Sequence, residues 1–231
     1  MTGISYIKAL GRMFYPVVCP SCNEALMGKE SCLCTLCRVS LPVTGFHTIP
    51  DNPLNNLLKL RMRVDFISSY LFYDKGLSTQ NMLHAIKYKG HKKLASLLGE
   101  LYGYDLHGHF EYHPDFIIPV PLHNRRRRER GYNQSEEWAT GLSKSLQSPV
   151  NTEALLRVKY TTTQTKKSRT DRINNVATAF KITSPQVLKG KSVLLVDDVI
   201  TTGATLEACG TRLWEAGIKS LNIATIAYAI K

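Results

Sequence analysis

Two adjacent carboxylates, Asp197 and Asp198, stand inside the stretch "SVLLVDDVITTGAT". An apolar run precedes them, and Thr201, Thr202, Gly203, Ala204 and Thr205 follow closely. Carboxylates accept hydrogen bonds from sugar hydroxyls, or hold a hydrated Mg²⁺ that bridges diphosphate oxygens. The small residues suit a phosphate. A helix starting there presents unpaired N–H groups and the positive end of its dipole. Gly203 and Ala204 admit close backbone approach, and the threonines add hydroxyl donors. The stretch therefore reads as a site for a sugar phosphate with its own metal. It lacks the lysine of a Walker A loop, which argues against an NTPase. A plain strand-turn-helix junction with solvated aspartates is the alternative.

A second set of candidate ligands lies near the N-terminus. Cys19-Pro-Ser-Cys22 and Cys34-Thr-Leu-Cys37 are two C-x₂-C pairs with eleven residues between them. Four thiolates at this spacing can converge on a tetrahedral Zn²⁺, and a closed site of that kind is structural. So small a module has little core of its own, and metal binding would supply much of its folding free energy. Cys32 competes with Cys34 for a place in the set, but Cys34 keeps the paired geometry, so Cys32 is left out. Cys209 reads as a small buried residue. His107, His109 and His113 read as a turn with exposed histidines rather than a metal site.

The charge is uneven as well as large. The chain of 231 residues carries a formal net charge of +12, which favours an anionic partner. Five arginines crowd "HNRRRRERGYNQ", and five basic residues lie in "KYTTTQTKKSRTDR". Both runs are polar stretches between apolar ones and read as loops. Tyr132 and Tyr160, close to them, could stack on bases of single-stranded DNA.

These residues need a framework. From about Val64 onward, strand-like and helix-like segments alternate. "FISSYLFY" and "FIIPVPL" read as strands, and "SVLLV" as a strand buried on both faces. "LSTQNMLHAIKYKG" and "KKLASLLGELYGYDL" have apolar residues at helical spacing. "NQSEEWATGLSKSLQ" opens with Asn133 and carries Glu136 three residues on, a capping-box pattern. "TLEACGTRLWEAG" is an amphipathic helix, and "SLNIATIAYAI" a final strand. The fold class is α/β: an open, mostly parallel sheet with helices on both faces, plus a small N-terminal zinc-binding module. Ligands of such sheets bind beyond the carboxyl ends of the strands, where Asp197 and Asp198 would sit. Ile4, Ile7, Leu10 and Phe14 form a helical stripe expected to pack on the body, with a membrane-surface helix as the alternative. No apolar run approaches bilayer length, so stable membrane insertion is not expected. The N-terminal segment has no signal-peptide pattern, and the expected location is cytoplasmic, where cysteines stay reduced.

The acidic stretch closely resembles the signature for phosphoribosyl diphosphate (PRPP) in type I phosphoribosyltransferases. "CPSC…CTLC", "AIKYKG", "IPVPLHNRRRRERGYNQSEEWA" and "QTKKSRTDRINNVATAF" occur with it in the order of the ComF-type competence protein family. The resemblance covers nearly the whole chain. It implies an N-terminal helix and zinc-finger module over 1–62 and a type I phosphoribosyltransferase-like domain over 63–231. On that likeness Asp197 and Asp198 contact the ribose hydroxyls, with Mg²⁺ accompanying PRPP. Thr201, Thr202, Gly203, Ala204 and Thr205 bind the 5-phosphate. Pro119, Val120, Pro121 and Leu122 fall where the fold keeps its pyrophosphate loop. Arg125, Arg128 and Arg130, and Arg169 and Arg172 on a following loop, are candidates to neutralise pyrophosphate as charge builds on it. Thr201 stands where 6-oxopurine salvage members carry an aspartate general base, which disfavours hypoxanthine or guanine as acceptor. The resemblance thus implies a PRPP-binding phosphoribosyltransferase-like protein linked to DNA uptake or nucleotide metabolism. The alternative is an accessory protein that handles single-stranded DNA or binds other competence proteins without catalysis.

Overall fold

The computed structural model describes residues 16–73, 78–108, 113–159 and 178–229. The Ile4–Phe14 stripe, His109, Tyr160, Arg169 and Arg172 lie outside the described residues.

The chain order after the cysteine region, which carries α1 (Thr35–Val39), begins with α2 (Pro53–Leu58), β1 (Phe66–Tyr73), α3 (Ser78–Tyr88) and α4 (Lys92–His107). There follow β2 (Phe116–Pro119), α5 (Asn124–Arg130), α6 (Gln134–Leu146), β3 (Leu155–Arg157) and β4 (Phe180–Ile182). The last elements are α7 (Pro185–Leu188), β5 (Ser192–Ile200), α8 (Ala204–Glu215) and β6 (Ser220–Ala229). One sheet runs β1-β6-β5-β2 with every pair parallel. Beyond β2, a parallel bridge joins Ile117 to Val150 and extends that edge. β3 and β4 form a separate antiparallel pair.

Alternation along β5 explains the two layers of core. Leu194 and Val196 join α3, α4 and α6 on one face, through Met82, Ile86, Leu98, Trp138 and Leu142. Val193 and Leu195 face the other way, onto Leu206, Cys209 and Leu213 of α8. All of these side chains are buried, and each such burial contributes about 1.5–3 kcal/mol, which is why the sheet needs cover on both sides.

The connections part between β2 and β5. The chain leaving β2 passes through α6, on the face of α3 and α4, and returns outside β2 at Val150. The chain leaving β5 passes through α8, on the opposite face, to β6. Their loops diverge and leave a crevice at the carboxyl ends of the two strands, a topological switch point. Asp197, Asp198 and Pro119–Leu122 all belong to this edge.

The structure departs from the sequence expectations in several places. The arginine run is a helix, α5, and not a loop. His123 caps it by accepting Arg125 N–H on Nδ1 at 3.3 Å, Arg125 pairs with Glu129 one turn on at 3.1 Å, and Gly131 closes it at φ 76°. Arginine is a good helix former, and these local contacts outweigh charge crowding. β2 ends at Pro119, although Val120 N–H still reaches the Val196 carbonyl at 2.8 Å. β5 continues through both aspartates to Ile200, and α8 begins at Ala204. His107 closes α4 as its last helical residue, with the His113 ring 5.0 Å away.

Candidate functional site

Asn133 caps α6 by accepting Ser135 N–H at 3.1 Å, and its amide also donates to the Val120 carbonyl at 3.0 Å. One side chain thus ties the start of α6 to the segment after β2. The first two residues of α6 then meet the acidic pair. Gln134 Nε2 donates to Asp198 Oδ2 at 2.5 Å, and Ser135 Oγ donates to Asp197 Oδ1 at 3.0 Å. Lys87 of α3 reaches Asp198 Oδ2 at 3.2 Å. The positive end of the α6 dipole supports the same negative charge.

Even so, Asp197 is short of compensation. Burial holds the Asp197 carboxyl up at about 7, and the neighbouring Asp198 charge adds to the effect. The Asp198 N–H, Ser135 and Lys87 oppose it without prevailing. A ligand bringing a cation or hydroxyl donors would relieve that cost.

Pro119, Val120 and Pro121 are buried and Leu122 is half-buried, so this segment is held firmly beside the pair. Across the crevice, Thr201 and Thr202 are exposed and Ala204 and Thr205 half-buried. Gly203, just before α8, has φ 75°, and no side chain caps that helix. Its first N–H groups therefore have no side-chain acceptor at the cap, the arrangement that suits an anion.

The arginines divide by partner. Arg125 pairs with Glu129, while the Arg130 guanidinium lies 5.2 Å over the Tyr88 ring. Arg128 is exposed and has no such partner among the described residues. Sequence reasoning missed four residues here: Lys87, Gln134, Ser135 and Arg157. Arg157, on β3, is lowered by burial first and then by Arg126, while Asp197 is among the groups that act on it the other way. Lys87 was visible inside "AIKYKG", and Gln134 and Ser135 directly follow the cap Asn133. Nothing in the local pattern of Arg157 marks it.

The cysteine prediction is met in its geometry. The Sγ atoms of Cys19, Cys22, Cys34 and Cys37 all lie within 4.8 Å of one another, and Cys32 is not in the group. The Cys22–Cys34 sulfur separation is 3.8 Å. A tetrahedron of thiolates at the usual metal–sulfur distance has edges of about 3.8 Å, so the set fits a metal ion. The crowding has a cost without a cation: burial, then the adjoining Cys22 and Cys34 sulfurs, push the Cys37 thiol up to about 12. Burial also opposes ionisation of Cys19, but the N–H groups of Cys34, Cys22 and Ser21 bring it down to about 7. Glu30 braces the loop between the pairs, accepting Thr35 N–H at 2.7 Å and Met27 N–H at 2.8 Å. Asn81 of α3 donates to the Ser21 carbonyl at 3.1 Å and fastens this module to the helix that bears Lys87.

Residues 91–231 match the phosphoribosyl transferase domain family. The chain is 39% identical over 117 residues to competence protein F of Haemophilus influenzae, covering 50% of this chain and 51% of that protein. It is 30% identical over 210 residues to the DNA utilization protein YhgH of Escherichia coli O157:H7, covering 89% of this chain and 88% of the relative. The chain is a ComF-type member of the phosphoribosyl transferase domain family. Thus it spans about half the length of one ComF-type relative and most of the other. Among solved structures, a glutamine PRPP amidotransferase from B. subtilis overlaps 62% of this ComF-type chain and 30% of its own, at 21% identity and a TM-score of 0.42. Among the described residues no helix is long and apolar enough to cross a membrane.

Proposed function

We propose that the crevice between β2 and β5 binds Mg–PRPP and that the chain transfers its phosphoribosyl group to an acceptor, releasing pyrophosphate. One observation carries this: the paired carboxylates, held by Gln134, Ser135 and Lys87, stand at the switch point beside the uncapped start of α8. Asp197 and Asp198 take the ribose hydroxyls and the Mg²⁺, which when bound offsets diphosphate charge. The loop Thr201–Thr205 takes the 5-phosphate, and Pro119–Leu122 lines the pyrophosphate. Arg125, Arg128 and Arg130 supply positive charge as the C1–O bond breaks and the electron pair leaves with pyrophosphate. Thr201, exposed at the loop, offers no carboxylate base, which disfavours a 6-oxopurine acceptor. Zn²⁺ held by Cys19, Cys22, Cys34 and Cys37 stabilises a module in residues 1–62, and residues 63–231 form the phosphoribosyltransferase-like domain. The relatives' names, competence protein F and DNA utilization protein, support a role linked to DNA uptake. The proposal adds the cytoplasm as its location and other competence proteins and single-stranded DNA as partners.

Calorimetry tests the site. Asp197→Asn with Asp198→Asn should abolish Mg-dependent PRPP binding while the circular-dichroism spectrum stays native. Unchanged PRPP affinity in that variant would refute the assignment. Pyrophosphate release from Mg–PRPP over a panel of acceptor bases then separates turnover from binding alone.

A further inference from the structure

The segment that leaves α2 for β1 runs along α8 and meets it repeatedly. A Cβ added to Gly203 would strike Leu58, and one added to Gly210 would strike Met62. Trp214 Nε1 donates to the Arg63 carbonyl at 2.8 Å, under the Arg63 guanidinium at 4.3 Å from the ring. Between these contacts lies Arg61. Its Nη1 donates to the Thr202 carbonyl oxygen at 2.6 Å, and its Nη2 pairs with Glu207 in the first turn of α8.

The Arg61 contact has a directional consequence that apolar packing lacks. The Thr202 carbonyl and the Gly203 N–H belong to one planar trans peptide and point to opposite sides of it. Drawing the carbonyl toward Arg61 turns the Gly203 N–H away from the α2–β1 segment. Leu58 behind Gly203 keeps the peptide from settling back, and the Glu207 pair anchors the helix that follows.

We propose that Arg61 is a positioning residue for phosphate binding: it orients the Thr202–Gly203 peptide so that the loop presents its N–H to the 5-phosphate. This rests on the reading of the crevice as a PRPP site. It deepens that reading by making the N-terminal region, and not only the sheet domain, part of the phosphate loop.

The test compares Arg61→Met, which keeps the aliphatic stem, with Arg61→Lys, which restores a donor, in the full chain. Titrations use PRPP with Mg²⁺, ribose 5-phosphate, and pyrophosphate with Mg²⁺. Arg61→Met should weaken PRPP and ribose 5-phosphate roughly tenfold, leave pyrophosphate unchanged, and speed hydrogen exchange of the amides from Gly203 to Leu206. Arg61→Lys should recover much of each loss. Ribose 5-phosphate binding that is indifferent to Arg61→Met overturns the proposal, and so does an equal loss for pyrophosphate, which would mean general loosening. If the wild-type chain binds neither PRPP nor ribose 5-phosphate, the reading of the crevice fails and this proposal with it. If the wild-type binds and Arg61→Met binds equally well, only the Arg61 proposal fails.

Discussion

Asp197 carries the sharpest electrostatic consequence at the scale of one residue. Its carboxyl moves from the ordinary 3.8 to about 7 because the folded chain buries it beside Asp198. A raised carboxylate favours the protonated folded state. Its stabilising contribution is complete below 3.8 and is lost as pH rises through about 7. The ligand-free protein should therefore lose melting temperature across that window. Asp197→Asn, which cannot ionise, should flatten the loss, and thermal melts from about pH 4.5 to about pH 7.5 would show it. Equal slopes for the two proteins would mean that Asp197 is already ionised in the fold. Mg–PRPP is expected to reverse the trend, since its cation favours the ionised pair.

At the scale of elements, a loop and a helix are coupled through contacts remote in sequence. Gly203 has φ 75°, and Leu58 of α2 occupies the space of its missing side chain. Gly203→Ala should cost about 2 kcal/mol or more, from the left-handed backbone and the clash combined. In a Leu58→Ala background the clash is removed and only the backbone part should remain, which denaturant unfolding of the single and double variants measures. The small-residue loop itself was legible, because a strand, two carboxylates and threonines with glycine make a local pattern. Its buttress was not. Leu58 and Arg61 stand more than a hundred positions earlier in the chain, and no local periodicity announces a contact across that separation. The arginine run misled for a related reason. Its composition suggested a solvated loop, whereas His123, Glu129 and Gly131 supply the cap, the pair and the stop of a helix.

Across the whole molecule, the N-terminal region holds the body from both faces. Cys19, Cys32, Leu33 and Cys34 join the core cluster that contains Trp138, and Leu54, Leu58 and Met62 join the opposite cluster. Metal loss should then be felt well beyond the cysteines. Cys22→Ser, or chelation under reducing conditions, is expected to remove one zinc per chain, lower the melting temperature and change the emission of the fully buried Trp138. Metal analysis of the native protein checks the first point, and fluorescence checks the last. A full melting temperature after zinc removal would show that the module contributes nothing to the body.

Sequence alone determined the features whose cause is local. Strand and helix periods set the α/β class, paired C-x₂-C spacing singled out Cys19, Cys22, Cys34 and Cys37, and the apolar run before Asp197 and Asp198 tied them to the carboxyl half of a strand, although β5 runs on through them to Ile200. The tertiary structure decided what depends on distant segments meeting. It brought Gln134, Ser135 and Lys87 onto the carboxylates, set Arg157 close enough to feel the Asp197 charge, and laid Leu58 and Arg61 behind the threonine loop. The physical reason is that burial and charge at the site are sums over neighbours in space. Those neighbours are chosen by sheet order and helix packing, which no single stretch of the chain encodes.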